Sequence, residues 1–88
     1  MGEEAIKVGT VTHYYTNIQV GIVKVETPVE KGDKVAFKGY TTDFKQVLED
    51  IQVNHQPVDT VEAGQEVGIK VNDKVREGDC MYLVPPNE

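Results

Sequence analysis

The apolar side chains of this chain are mostly β-branched, and this restricts its fold more than any other feature. Fifteen valines and five isoleucines stand against two leucines and three alanines, and seven threonines add further β-branched positions. Branching at Cβ limits χ1 in a helix and suits the pleated surface of a sheet. With 88 residues the chain is also too short for two cores. We therefore expect a single domain built from strands.

Alternating apolar residues predict where these strands lie. The expected strands contain Ile6, Val8 and Val11; Ile18, Val20, Ile22, Val23 and Val25; Val35 and Phe37; residues 44–53; Val67, Ile69 and Val71; and residues 80–84. In the first strand the inward face changes register near Gly9, which indicates a β-bulge.

The segment 44–53 allows two interpretations. Phe44, Val47, Leu48 and Ile51 have helical spacing, and Asp43 with Gln46 resembles a capping pair, so the local pattern favours a short helix. All neighbouring segments are predicted strands, however. We therefore expect a strand here and keep the helix as the alternative.

A short phrase recurs three times: Val-x-x-Gly, then Asp or Gln, and two residues later Val or Met. It occupies residues 29–35, 61–67 and 75–81. Because the spacing is unequal, we interpret it as a recurring turn and not as a tandem repeat. The first valine is expected to enter the core, the glycine to take a positive φ, and the last residue to open a strand. The turn residues singled out are Gly32, Asp33, Gly64, Gly78 and Asp79. The alternative is that glycine simply tolerates a loop.

Six short strands separated by regular turns indicate a small closed barrel, because closure hides the edges of a sheet. We expect one β-barrel domain over residues 5–84. Residues 1–4 and 85–88 are expected to be tails, the first of them disordered.

The ordered series of turns resembles the second domain of elongation factor Tu and of other translational GTPases. The matching residues are Val29, Gly32, Asp33, Val35, Phe37, Gly39, Ala63, Gly64, Val67, Gly68, Ile69, Arg76, Gly78, Asp79 and Met81. The series resembles even more closely a family of small translation elongation factor-like proteins, in which residues 39–44 look like a signature loop. A similar module ends some collagenase-like peptidases. The resemblance implies an all-β, six-stranded, closed Greek-key barrel, and it favours a strand over residues 44–53.

Charge and motifs exclude several classes of function. The net charge of −6 repels a phosphate backbone, so non-specific nucleic-acid binding is not expected. The sequence Gly-x-x-x-x-Gly-Lys-Ser/Thr does not occur, so this chain alone is not expected to bind GTP. The absence of a long apolar run predicts no membrane partner, and a single cysteine favours the cytoplasm.

The sequence also offers little for catalysis. It contains no serine, and its one cysteine, Cys80, follows an acidic residue that disfavours a thiolate. The two histidines, His13 and His55, are far apart and have no partner at metal-ligand spacing. We therefore predict a protein that is not an enzyme and that has no catalytic residue, no metal and no cofactor.

If successive strands alternate in direction, the connections at residues 12–17, 38–45 and 72–78 share one end of the barrel, here called the aromatic end. Aromatic rings beside cations can stack on bases or on protein partners. The candidate binding residues there are His13, Tyr14, Tyr15, Lys38, Tyr40, Thr41, Thr42, Asp43, Phe44, Lys45, Lys74 and Arg76. The alternative is that Tyr15 and Phe44 plug the barrel mouth and that the rest is ordinary surface.

The opposite end is acidic. Residues 26–34 and 54–66, here called the acidic end, hold six acidic residues and two lysines. Such a surface suits a basic partner.

Two functions follow from these features. The first is a non-enzymatic adaptor of the translation apparatus that contacts RNA or a ribosome-linked protein through the aromatic end, with Lys38 and Lys45 on phosphates. The alternative is a protein-interaction subunit or accessory of a larger enzyme, peptidase-like or modifying, with no role for nucleic acid. An enzyme acting alone is the least supported.

Overall fold

A computed structural model describes residues 6–84, and every regular element in that range is a β-strand. The strands are β1 (Ile6–Tyr15), β2 (Val20–Val25), β3 (Val29–Glu30), β4 (Lys34–Lys38), β5 (Asp43–Val47), β6 (Ile51–Val53), β7 (Gln56–Pro57), β8 (Thr60–Val61), β9 (Glu66–Lys70) and β10 (Cys80–Leu83). The predicted tails, residues 1–4 and 85–88, lie outside the described residues, so the boundaries of the domain stay a prediction.

Eight of the strands form one curled antiparallel sheet in the order β5-β4-β10-β1-β2-β9-β6-β7. The remaining two, β3 and β8, pair with each other as a separate ribbon. The strand β1 is ten residues long and pairs with both β10 and β2, so it lies at the middle of the sheet. The prediction of an all-β fold is confirmed.

The sheet is open, and the closed six-stranded barrel predicted from the sequence is not what the structure shows. Its outer strands, β5 and β7, do not pair with each other in the described range. The strand β7 has only two residues, and one of them, Pro57, has no N–H to donate. Three of the ten strands, β3, β7 and β8, are two residues long, which is too short to produce an alternating sequence pattern.

The concave side of the sheet encloses the apolar core. Alternate residues of β2 face inward, and the same holds for β9, as expected for strands with one buried face. The buried apolar cluster consists of Val8, Val11, Val23, Val25, Val29, Val35, Phe37, Leu48, Ile51, Val61, Val67, Ile69, Val71, Val75 and Met81.

The predicted bulge in the first strand is confirmed. The pairing of β1 with β10 shifts register between Lys7 and Gly9. Glycine is needed there because a Cβ on Gly9 would lie 2.6 Å from Val23 Cγ1 and 2.9 Å from the carbonyl oxygen of Lys24. A second irregularity, between Val11 and His13 against β2, was not expected from the sequence.

The segment 44–53 and the start of the second strand differ in part from what the sequence predicts. The helical alternative for the segment 44–53 is wrong, because Phe44 pairs with Phe37 in β4 and so uses the backbone groups that a helix would need. The prediction of one strand is only partly right: β5 ends at Val47, residues 48–50 belong to no strand, and β6 begins at Ile51 and pairs with β9. The second strand begins at Val20 and not at Ile18, which is 57% exposed in the preceding turn.

The recurring phrase folds into the same turn three times. The glycines Gly32, Gly64 and Gly78 have φ of 99°, 91° and 93°. In each turn the side chain after the glycine accepts a hydrogen bond from the backbone N–H three residues before it. The three bonds are Glu30 N–H to Asp33 Oδ2 (3.0 Å), Glu62 N–H to Gln65 Oε1 (2.8 Å) and Arg76 N–H to Asp79 Oδ2 (2.8 Å). Each phrase begins and ends with a buried apolar side chain.

One side chain, that of Gln46, connects the edge strand β5 to the far side of the curled sheet. Its Nε2 donates to the carbonyl of Lys70 (2.9 Å), and its Oε1 accepts from the N–H of Asn72 (2.7 Å). A neighbouring strand would supply one donor and one acceptor per residue, and this buried amide supplies one of each. We call the gap between β5 and residues 70–76, bridged here by Gln46, the seam.

Replacing Gly78 by alanine is expected to lower the free energy of unfolding by about 1 kcal/mol or more, because alanine is strained at this positive φ. Asparagine should be tolerated better than alanine. Urea denaturation measures both. The control is Gly68→Ala, where φ is not positive and the added Cβ would find ordinary contacts of 3.4 Å or longer. An equal loss at both positions would show that the turn conformation is not the cause.

Replacing Gln46 by alanine is expected to lower the free energy of unfolding by about 1 to 3 kcal/mol, because the backbone groups of Lys70 and Asn72 lose their partners. The exposed Gln52 of β6 is the matched control, and its replacement by alanine should change stability by less than about 0.5 kcal/mol. If the two variants unfold at the same urea concentration, Gln46 does not stabilise the seam.

Candidate functional site

The structure brings the three connections of the aromatic end together. His13 Nδ1 lies 3.3 Å from Glu77 Oε2, which joins the first connection to the third. The buried carboxylate of Asp79 occupies the position where a Cβ on Gly39 would be, which joins the second to the third. Glycine is therefore needed at position 39, because a side chain there would collide with the carboxylate of Asp79. These contacts place the connections of the aromatic end side by side.

Two of the candidate aromatic residues pack against the core. Phe44 stacks on Phe37, with ring centroids 5.2 Å apart and an interplanar angle of 26°. Tyr14 is also half-buried against the core cluster. Of the two residues proposed as a plug, Phe44 packs against the core, whereas Tyr15 is 48% exposed.

The remaining aromatic side chains are available to a partner. Tyr40, at the tip of the hairpin between β4 and β5, is completely exposed. The ring of Tyr15 lies 4.6 Å from that of His13, with the planes tilted by 52°. These three rings are the part of the candidate set that could stack on another molecule.

The cations of the aromatic end differ in their partners. Lys38 Nζ lies 3.2 Å from Asp43 Oδ1 and forms a cross-strand ion pair. Lys45, Lys74 and Arg76 are exposed and have no carboxylate within 4.0 Å among residues 6–84. These three are the cations free to contact a partner.

A cleft of about 380 Å³ lies between the hairpin and the third connection of the aromatic end. Its walls are Thr41, Thr42, Asp43 and Phe44 on one side and Asp73, Lys74 and Arg76 on the other. Thr42, expected from the sequence in a binding loop, is 6% exposed and is available only at the wall of this cleft.

The acidic end holds a second and larger cleft, with a volume of about 630 Å³. The ribbon of β3 and β8 forms it, with side chains of Val29 and Val61 below and Glu30 and Glu62 exposed around it. Its lining is completed by Pro28, Asp33, Thr60 and Ala63. Because Val29 and Val61 are buried, the apolar surface that the cleft offers is that of Pro28 and Ala63, beside exposed carboxylates.

The described residues show no grouping suited to metal or nucleophilic chemistry. Cys80 is half-buried in β10, opposite Lys38 and Thr10 on the neighbouring strands. No three side chains of His, Cys, Asp or Glu in residues 6–84 could jointly hold a metal ion. No helix that could cross a membrane occurs in this range.

Sequence reasoning missed Gln46, which holds the seam. The signal was present, because a glutamine at an inward position of an otherwise alternating strand must find hydrogen-bond partners. Its partners at Lys70 and Asn72 are more than twenty residues away in sequence, so the pattern alone could not reveal them.

No protein-family model matches the chain. Over 80 residues, 90% of the chain, it is 34% identical to an uncharacterised protease of Methanocaldococcus jannaschii. The chain spans only 20% of the length of that relative.

The fold is similar to that of a solved C-terminal domain from a U32 peptidase-type protein of Geobacillus thermoleovorans. Its selenomethionine variant matches with a TM-score of 0.82 and 25% identity, covering 86% of this chain and 96% of that domain. The unsubstituted form matches with a TM-score of 0.84 and 24% identity, covering 92% and 93%. These similarities agree with the resemblance to a module of collagenase-like peptidases and not with the translation-factor part of the resemblance.

Replacing Tyr40 by alanine is expected to change the free energy of unfolding by less than about 0.5 kcal/mol, because the side chain is fully exposed. Replacing Tyr14 by alanine should lower it by about 1 to 3 kcal/mol, because its ring packs against the core. Thermal denaturation of the two variants measures both changes in stability. A large loss for Tyr40→Ala would mean that the hairpin tip has a structural role.

Proposed function

We propose that this chain is a non-catalytic module of a peptidase-like protein and that it acts by contacting the catalytic part. The observation that carries this proposal is the match over nearly the whole of a C-terminal domain from a peptidase-type protein. The relative from Methanocaldococcus jannaschii supports it, because the chain corresponds to a fifth of a longer protein called a protease.

The chemistry of the chain agrees with a non-catalytic role. The half-buried Cys80 is the one thiol, and serine is absent from the sequence. His13, the histidine of the aromatic end, contacts the exposed carboxylate of Glu77 and the ring of Tyr15 on the surface of the molecule.

We propose the acidic end as the docking surface. Its cleft of about 630 Å³ is lined by the exposed Pro28 and Ala63, which can pack against the stem of a lysine or arginine, and by exposed carboxylates that can pair with the charged head. Rim charges of this kind mainly raise the association rate and select the partner. A basic loop on the catalytic part is therefore the proposed occupant.

RNA binding at the aromatic end is the second candidate. The exposed ring of Tyr40, with Lys74 and Arg76 at the cleft beside its hairpin, favours it. The net charge of −6 opposes it, and none of the relatives described above is a translation protein.

Affinity capture with the tagged chain, from the cell that produces it, distinguishes the two candidates. We expect the tagged chain to capture a peptidase-like protein that stays bound after nuclease treatment and is released from the tagged chain by salt. Replacing both Glu30 and Glu62 by lysine should reduce capture at least about tenfold, and Tyr40→Ala should not.

The matched control replaces both Asp73 and Glu77 by lysine, which changes the net charge equally at the aromatic end. Capture of the peptidase-like protein should survive this change. Loss of capture after nuclease treatment and in the Tyr40→Ala variant would instead establish the RNA interpretation and overturn the acidic end as the docking surface.

A further inference from the structure

The cleft of the aromatic end places two unpaired cations beside hydroxyl groups. Its volume is about 380 Å³, and it is lined by Thr41, Thr42, Asp43, Phe44, Asp73, Lys74 and Arg76. The last two are exposed, and neither has a carboxylate within 4.0 Å among residues 6–84. Their charges are therefore available to an anion that enters the cleft.

One hydroxyl of the cleft, that of Thr42, is nearly enclosed by the protein and has no partner. The residue is 6% exposed, and its hydroxyl makes no hydrogen bond within residues 6–84. Every fully enclosed polar side-chain atom in that range does have a partner, so this hydroxyl must open on the cleft that Thr42 lines. Buried polar groups are normally hydrogen-bonded, and a group bound in the cleft would provide the missing acceptor.

The two carboxylates of the cleft are already engaged by the chain. Asp43 Oδ1 lies 3.2 Å from Lys38 Nζ, and Asp73 Oδ1 accepts the N–H of Lys74 (2.7 Å). With Lys38 included, the cleft and its border hold more cations than carboxylates. This balance suits one singly charged anion, whereas the net charge of −6 opposes a polyanion.

Hydrogen bonds of the chain itself hold the backbone on both sides of the cleft. On the hairpin side, Gly39 N–H donates to the carbonyl of Thr42 (2.8 Å). On the other side, Arg76 N–H donates to Asp79 Oδ2 (2.8 Å), and the buried Val75 lies between its two exposed, charged neighbours. The packing of Asp79 against Gly39 joins the two sides. A ligand therefore has to order side chains and not loops, which lowers the cost of binding.

The donors of the cleft match a carboxylate. A guanidinium offers two parallel N–H groups to the two oxygens of a carboxylate, and further lone pairs remain for an ammonium and a hydroxyl. Arg76, Lys74 and Thr42 supply these three groups.

The half-buried ring of Phe44 indicates what accompanies the carboxylate. It lines the cleft on the hairpin side, and Lys74 and Arg76 line the other side. In the C-terminal residue of a peptide the carboxylate and the side chain leave the same carbon atom, so a single residue can reach both sides. An aromatic side chain in that residue would add a ring contact with Phe44.

We propose that the cleft of the aromatic end binds the C-terminal residue of a peptide. The carboxylate pairs with Arg76 and Lys74 and accepts a hydrogen bond from the Thr42 hydroxyl. The side chain of the bound residue packs against the ring of Phe44. Because the contacts are few, we expect a dissociation constant of about 1 mM. The inference goes beyond the proposed function, which uses the opposite end of the molecule, and each can fail without the other.

Backbone amide chemical shifts, measured while the chain is titrated with short peptides, test this site. The probe is N-acetyl-glycyl-phenylalanine, and its C-terminal amide is the matched control without the carboxylate. We expect the acid to shift the amides of residues 41–44 and 73–76 with a dissociation constant of about 1 mM, and the amide to bind at least about tenfold more weakly. N-acetyl-glutamyl-phenylalanine amide carries its carboxylate on a side chain and should bind at least about fivefold more weakly than the acid.

Variants of the cleft separate the contributions of charge and hydroxyl. Arg76→Gln should weaken binding of the acid at least about fivefold, because the guanidinium is lost while the backbone bond to Asp79 stays. Thr42→Val removes the hydroxyl at nearly constant volume and should weaken binding about threefold or more, whereas Thr42→Ser keeps it and should bind like the wild type. Lys45→Gln is the control for charge, because it removes an exposed cation outside the cleft; it should change the affinity less than about twofold. Circular dichroism confirms the fold of each variant.

The proposal is overturned if the acid and its amide bind equally, if the shifts lie outside the cleft, or if Arg76→Gln binds like the wild type. Equal binding of the glutamyl peptide would overturn the choice of a C-terminal carboxylate. Inorganic phosphate and a uridine hexanucleotide are titrated in parallel. If either shifts the same amides at a lower concentration than the acid does, the cleft is a phosphate site and the proposal is wrong.

Discussion

The acceptor side chain that follows each positive-φ glycine is the interaction on which this fold depends. In each of the three turns this side chain accepts a hydrogen bond from the backbone N–H three residues earlier. The bond fixes the turn that lies between a buried valine and the strand that follows. In the third turn the acceptor, Asp79, is buried and also packs against Gly39 of the β4–β5 hairpin. A local turn thereby sets the spacing between two loops of the aromatic end.

Local rules determined most of what the sequence could predict. The bulge beside Gly9, the extended backbone on either side of residues 48–50 and the positive φ of the turn glycines depend on neighbours close in sequence or on alternation. The open sheet could not be predicted, because it depends on the two-residue strand that ends at Pro57 and on the distant partners of Gln46. The same limit applies to the candidate site. The sequence places Tyr14 and Tyr40 in the same set of loops, and only the packing shows that Tyr14 contacts the core whereas Tyr40 is exposed.

The two ends of the molecule expose different chemistry. In the aromatic end the His13–Glu77 contact and the packing of Asp79 against Gly39 link the loops, and rings and cations are exposed without a strong net charge. The acidic end is a shallow ribbon with carboxylates around apolar side chains. A module between a catalytic part and a second surface would use such a division, since contacts at one end leave the other end free.

The seam has a consequence for how the curled sheet keeps its width. Elsewhere the sheet is held by ladders of main-chain hydrogen bonds, whose spacing is fixed, but between β5 and residues 70–72 the two hydrogen bonds of one buried amide side chain make the connection. The distance between the two sides of the seam is therefore set by the length of a side chain and not by the spacing of a ladder.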